Sequence, residues 1–112
     1  MHTINVKSIA HWNELVSQNG GGEDVVPIVV RFTATWCGPC KAMAPLYELL
    51  AAEFTDFPFL SVDIDEFEEV ASKFDVSSVP TIFIFQGGEV IKKTVGASQT
   101  VIDELRSKLF TL

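Results

Sequence analysis

Cysteine is scarce in this chain: 112 residues contain two, Cys37 and Cys40. None is left over for a structural bridge, which excludes a disulfide-stapled secreted scaffold and suits a reducing compartment such as the cytoplasm. Histidine is equally sparse. His2 and His11 both lie far from the cysteines in sequence. Structural zinc takes four protein ligands, so zinc is disfavoured and no metal is expected. Basic residues are few, 8 Lys and Arg against 15 Asp and Glu, for a formal net charge of -7. They form no stripe, which argues against a nucleic-acid partner. Long apolar runs are missing too. The longest, residues 25–32 (broken by Arg31) and 81–85, are strand-sized, well short of the roughly 20 residues that span a bilayer. Met1 leads into His2-Thr3-Ile4-Asn5, with neither a basic start nor a long apolar block, so no secretory signal is expected. What is plentiful is core material. The chain is 47% hydrophobic with nine phenylalanines, and its mean hydropathy is +0.28. That is enough for one domain over residues 1–112, expected as a monomer.

Both cysteines fall in Trp36-Cys37-Gly38-Pro39-Cys40-Lys41. The run before, residues 27–34, reads as a buried strand, part of a central strand over residues 25–34. The run after, residues 41–54, reads as a helix. A Cys-x-x-Cys between a strand and a helix signals a dithiol redox centre. Cys37 sits near a helix N-terminus, where unpaired N–H groups and the helix dipole favour a thiolate. Cys40 is close enough to form a disulfide with it, so that the first sulfur attacks and the second resolves. An inert buried pair is the bland alternative. Pro39 falls just inside the helix start, where a missing N–H costs little. Lys41 faces solvent and mildly favours the nearby thiolate.

The rest of the chain alternates. A short strand over residues 3–7 precedes a helix over 9–17, capped by Ser8 and striped by Ile9, Trp12, Leu15 and Val16. His11 falls off that stripe and is expected exposed. Residues 19–24 read as a flexible loop whose three glycines make no phosphate loop. The helix after the dithiol carries Met43, Leu46, Leu49, Leu50 and Phe54 and is expected to kink at Pro45. A strand over residues 57–65 follows, with residues 59–62 as its apolar part. Asp65 and Glu68 then read as a capping pair for a helix striped by Phe67, Val70, Ala71 and Phe74. Strands over 81–85 and 90–95 form a hairpin around Gly87-Gly88. Ser98 caps a last helix with Val101, Ile102, Leu105 and Leu109 inside. The pattern β-α-β-α-β-α-β-β-α is an α/β fold, with one mixed sheet and helices on both faces. Ligand sites in such sheets lie at the carboxyl ends of strands, and Cys37 follows one.

These residues resemble the thioredoxin family across essentially the whole chain. Trp36-Cys37-Gly38-Pro39-Cys40-Lys41 is similar to that family's active-site run, Val79-Pro80-Thr81 to its cis-proline loop, and Val95-Gly96-Ala97 to its late glycine segment. The Gly-Pro between the cysteines separates it from protein disulfide isomerases, glutaredoxins and tryparedoxins. The resemblance implies the thioredoxin fold, a central five-stranded mixed sheet flanked by four helices. It implies protein disulfide reduction through Cys37 and Cys40, with no bound cofactor and with electrons reaching the dithiol from NADPH through a thioredoxin reductase. Peroxiredoxins, methionine sulfoxide reductases and ribonucleotide reductase are the kinds of target implied. Trp36 becomes a partner-contact residue. Val79 and Pro80, with Gly38, Pro39, Gly96 and Ala97, become a small docking patch for extended protein segments. The rivals are a non-catalytic subunit of an assembly and a reductase with one dedicated partner. A scaffold has no need of two intact thiols.

One position departs from the resemblance. Five residues before Trp36 the family carries a buried aspartate, held to take or relay the proton of the resolving cysteine. Here Arg31 stands there, and it cannot act as a base. Ser61 replaces the family's nearby lysine and Thr33 its second tryptophan. Either Arg31 lays its stem along the sheet with its head in water, or its guanidinium lies beneath the dithiol and tunes the thiol pKa values.

Overall fold

A computed structural model describes residues 2–18 and 26–112. The loop expected over 19–24 and the first residue of the strand expected from Val25 lie outside the described residues. Five strands and four helices follow in the order β1 (Thr3–Asn5), α1 (Ile9–Gln18), β2 (Ile28–Thr33), α2 (Gly38–Glu53), β3 (Phe59–Asp63), α3 (Glu68–Lys73), β4 (Thr81–Gln86), β5 (Glu89–Val95) and α4 (Gln99–Leu109). The sheet order is β1-β3-β2-β4-β5. The first three strands run parallel, and β4 and β5 are antiparallel to their neighbours. This is the five-stranded mixed sheet expected. Gly87 and Gly88 both take positive φ, 63° and 79°, as the tight turn joining β4 to β5 requires.

Successive side chains of a strand point to opposite faces, and that alternation divides the core in two. Val29, Phe59, Ile82 and Ile84 face α2 and α4, where they meet Met43, Tyr47, Leu50, Ile102, Leu105 and Leu109. Ile28, Val30, Phe32, Leu60, Val62 and Phe83 face α1 and α3, where they meet Trp12, Phe67 and Val70. Each fully buried large apolar side chain contributes roughly 1.5–3 kcal/mol. Aromatic edges join the second face: Phe83 packs edge-on to Phe32 at 5.6 Å and tilted to Phe74 at 5.8 Å.

Several local expectations need correction. The helix after the dithiol starts at Gly38, not at 41, because Cys37 caps it and Pro39 fits the first turn. It continues through Pro45, whose missing N–H leaves the Lys41 carbonyl without its helical donor. Leu49 is 65% exposed while its neighbour Leu50 is fully buried. Adjacent helical positions lie about 100° apart, so both cannot face the core. Asp65 caps nothing. α3 begins only at Glu68 behind Phe67, which makes no side-chain cap bond. Asp63 Oδ1 instead accepts the N–H groups of Asp65 and Glu66, at 2.8 and 3.3 Å. His11 is half-buried rather than exposed, and its Nδ1 accepts the Lys7 N–H at 3.1 Å. The expected caps at Ser8 and Ser98 form, accepting from His11 N–H at 2.9 Å and Val101 N–H at 3.4 Å.

Tyr47 ties α2 to the sheet. Its hydroxyl donates to the Leu60 carbonyl at 2.8 Å and lies 3.3 Å from the Val29 carbonyl. Burial pushes the phenol pKa up, so the hydroxyl stays protonated. Tyr47→Phe keeps the ring and removes the donor. It is expected to cost about 1–3 kcal/mol, the range for leaving a buried partner unmet. Urea unfolding checks this: the midpoint falls with the slope unchanged.

Candidate active site

The end of β2 delivers the chain into Ala34, and the turn that follows places Cys37 at the head of α2. Cys37 is the N-cap, in extended backbone (φ -88°, ψ 108°), and its Sγ accepts the Cys40 N–H at 3.2 Å. Helix starts leave their first N–H groups without carbonyl partners. Here a sulfur takes the place usually filled by a hydroxyl or carboxylate oxygen. Cys40, one turn along, forms a disulfide with Cys37 across a Cα–Cα span of 5.3 Å. Both residues are buried, Cys37 4% exposed and Cys40 2%. Ala34, Ile64 and Val79 pack against them.

The surroundings expected to matter gather at the same end of the sheet. Trp36 is 67% exposed beside the pair. Gly38, Pro39 and Lys41 are exposed along the first turn of α2. A Cβ added to Gly38 would have no neighbour within 4 Å, so no internal contact demands glycine there. The Val79–Pro80 peptide bond is cis, and the Val79 carbonyl oxygen lies 3.6 Å from Cys37 Sγ. Gly96, at φ 107°, donates its N–H to the Pro80 carbonyl at 3.0 Å. That bond brings the end of β5, with Ala97 after it, to the same loop. Dithiol, proline loop and glycine segment are therefore linked through the Cys37–Val79 and Gly96–Pro80 contacts.

Asp65 and Arg31 add contacts to this site. Asp65 Oδ2 accepts the Trp36 indole N–H at 2.8 Å, which holds the exposed ring at the rim. Arg31 is half-buried. Its Nη1 donates to the Cys40 carbonyl at 3.4 Å and its Nη2 to Ser61 Oγ at 3.3 Å. Its guanidinium carbon stands 5.0 Å from the Tyr47 ring centroid, a cation–π distance. Burial lowers the Arg31 pKa from its ordinary value. Strand parity carried a signal for this: Arg31 is two residues from buried Val29 and shares its face, toward α2.

Among the described residues no group of three or more His, Cys, Asp or Glu gathers to hold a metal ion. None of their helices is long and apolar enough to cross a membrane.

Against known proteins, residues 3–109 match the Thioredoxin family model. Thioredoxin H2-1 of Oryza sativa subsp. japonica is 41% identical over 109 residues, covering 97% of this chain and 75% of the relative. Thioredoxin H5 of Arabidopsis thaliana is 38% identical over 108 residues, covering 96% and 83%. Among solved structures, a thioredoxin from Nicotiana alata superposes with a TM-score of 0.89 at 34% identity, covering 98% of this chain and 91% of that one.

Proposed function

We infer the division of labour in this site from one premise: the chain belongs to the thioredoxin family and is a protein-disulfide reductase. The observation that carries the inference is the Cys37–Cys40 disulfide closed across the first turn of α2. Cys37 is the nucleophile, because the cap position supplies N–H groups and the positive end of the helix dipole to its thiolate. Its sulfur attacks one sulfur of a target disulfide. The target's S–S bond breaks, the other target sulfur leaves as a thiolate, and a Cys37–target mixed disulfide forms. Cys40 loses its proton and attacks Cys37 Sγ. The mixed disulfide breaks, the target departs with both sulfurs reduced, and the protein keeps the Cys37–Cys40 disulfide. Two electrons have passed to the target.

Trp36, Gly38, Pro39, Val79, Pro80, Gly96 and Ala97 form the docking face. It is small and mostly apolar, and it offers backbone beside the sulfur, so it suits extended segments of varied sequence. The substrates are proteins with accessible disulfides, and peroxiredoxins, methionine sulfoxide reductases and ribonucleotide reductase are candidates. The oxidised protein is returned to the dithiol by a thioredoxin reductase drawing on NADPH. It works as a monomeric single domain in the cytoplasm. The test is NADPH oxidation followed by absorbance with insulin as the disulfide. Oxidation is expected only when this protein and a thioredoxin reductase are both present. Steady oxidation without this protein, or none with both, rejects the proposed electron source.

A further inference from the structure

Arg31 is a half-buried cation with no counter-charge in reach of its hydrogen bonds. None of the ion pairs among the described residues includes it, and its buried Nε has no hydrogen-bond partner. In register across the sheet it lies between Ser61 on β3 and Ile82 on β4. Neither bears charge. From α2 it meets the Tyr47 ring and the Cys40 carbonyl. Burying a charge unpaired is costly. The oxidised protein offers this cation only dipoles, whereas a thiolate on Cys40 would supply a full negative charge at the residue it already touches.

We propose that Arg31 is a positioning residue for the resolving half-reaction. Its guanidinium, fixed against the Cys40 backbone, favours the Cys40 thiolate within the mixed disulfide, so that closure needs no protein base. The proposal rests on the reductase reading above. In this step the Cys40 proton passes to water. The Cys40 lone pair forms the bond to Cys37 Sγ, the bond from Cys37 to the target breaks, and the departing target thiolate takes up a proton from solvent. The groups facing the pair support a base-free route. Ala34, Ile64 and Val79 carry nothing that titrates, and the Tyr47 hydroxyl is occupied with the Leu60 carbonyl. Asp63 and Asp65, at the end of β3 and in the turn after it, are engaged with backbone N–H groups and with Trp36. Lys41, beside Cys40 on α2, is exposed to solvent and adds a screened positive charge that favours thiolate in the same direction.

A positive charge held near a thiol favours its thiolate form and lowers its pKa. Removing it should therefore raise the Cys40 pKa. The rate effect has a distinctive shape, because a thiol of higher pKa is also a better nucleophile once ionised. For a rise of about one unit, closure should be about threefold slower below both midpoints and about threefold faster above them.

The experiment is stopped-flow reaction of the reduced protein, in excess, with dithiodipyridine, an uncharged disulfide. A first, concentration-dependent phase releases one thiopyridone as Cys37 is capped. A second, concentration-independent phase releases another as Cys40 closes the ring. Wild type, Arg31→Met and Arg31→Lys are compared across pH 5–10. The midpoint of the second phase should move up by about one unit or more in Arg31→Met, with the two profiles crossing. Arg31→Lys should bring it back toward wild type. Superimposable second-phase profiles for wild type and Arg31→Met overturn the proposal, as does a uniform change at every pH. If wild type shows no second phase at all, the two-cysteine reductase reading fails first. If Arg31→Met does not fold, Arg31→Gln, which also removes the charge, gives the comparison, and an unshifted midpoint in that variant also overturns the proposal.

Discussion

Cys40→Ser converts the protein from a catalyst into a trap. The variant keeps Cys37 at the cap of α2, so the first attack on a target disulfide still proceeds. What it lacks is the sulfur one turn along, with its Cα 5.3 Å from that of Cys37. Well-oriented intramolecular partners reach effective molarities of roughly 10⁵ M and above, and millimolar external thiol cannot replace that. Turnover should stop at about one target per protein molecule. Non-reducing electrophoresis should show a covalent adduct that dissolves on adding dithiothreitol, and peptide mapping should place it on Cys37. Many rapid cycles by this variant, or an adduct on another residue, would contradict the assigned order.

Cys37→Ser is expected to do more, reducing insulin disulfides no faster than the uncatalysed background. A serine hydroxyl at the cap can still accept an N–H bond, so α2 should start at the same place. The fold therefore survives while the nucleophile is lost. Cys40 cannot substitute, because it lies in the first turn rather than at the cap. Far-ultraviolet circular dichroism should match wild type. Retention of a substantial part of wild-type activity in a folded Cys37→Ser protein would move the nucleophile to Cys40.

The motif and the frame around it were legible in the sequence because they rest on short-range signals. A buried run, a Cys-x-x-Cys and a helical stripe locate the dithiol at a strand end without any knowledge of strand order. The caps at Ser8 and Ser98 were readable for the same reason. The misreadings share a different cause. Asp65 has the residue type and the spacing of a cap, but a tertiary partner, the Trp36 indole, holds its carboxylate, and the turn is closed by Asp63 instead. Leu49 fits a hydrophobic list but not a single helix face. The Arg31 environment lay furthest from view. Its direction follows from parity with Val29, yet its contacts with Ser61 and Tyr47 depend on a strand register and a helix placement that one-dimensional spacing does not contain.

The most direct measurement is an accounting of electrons. The reduced protein is incubated with insulin in the absence of any other thiol, and both partners are then alkylated and weighed by mass spectrometry. The account predicts that each protein molecule that has reacted is lighter by two hydrogens, with Cys37 and Cys40 joined and unalkylated. For each such molecule two new alkylated cysteines should appear in insulin. Insulin that stays fully disulfide-bonded, while Cys37 and Cys40 both remain free to alkylate, would contradict it.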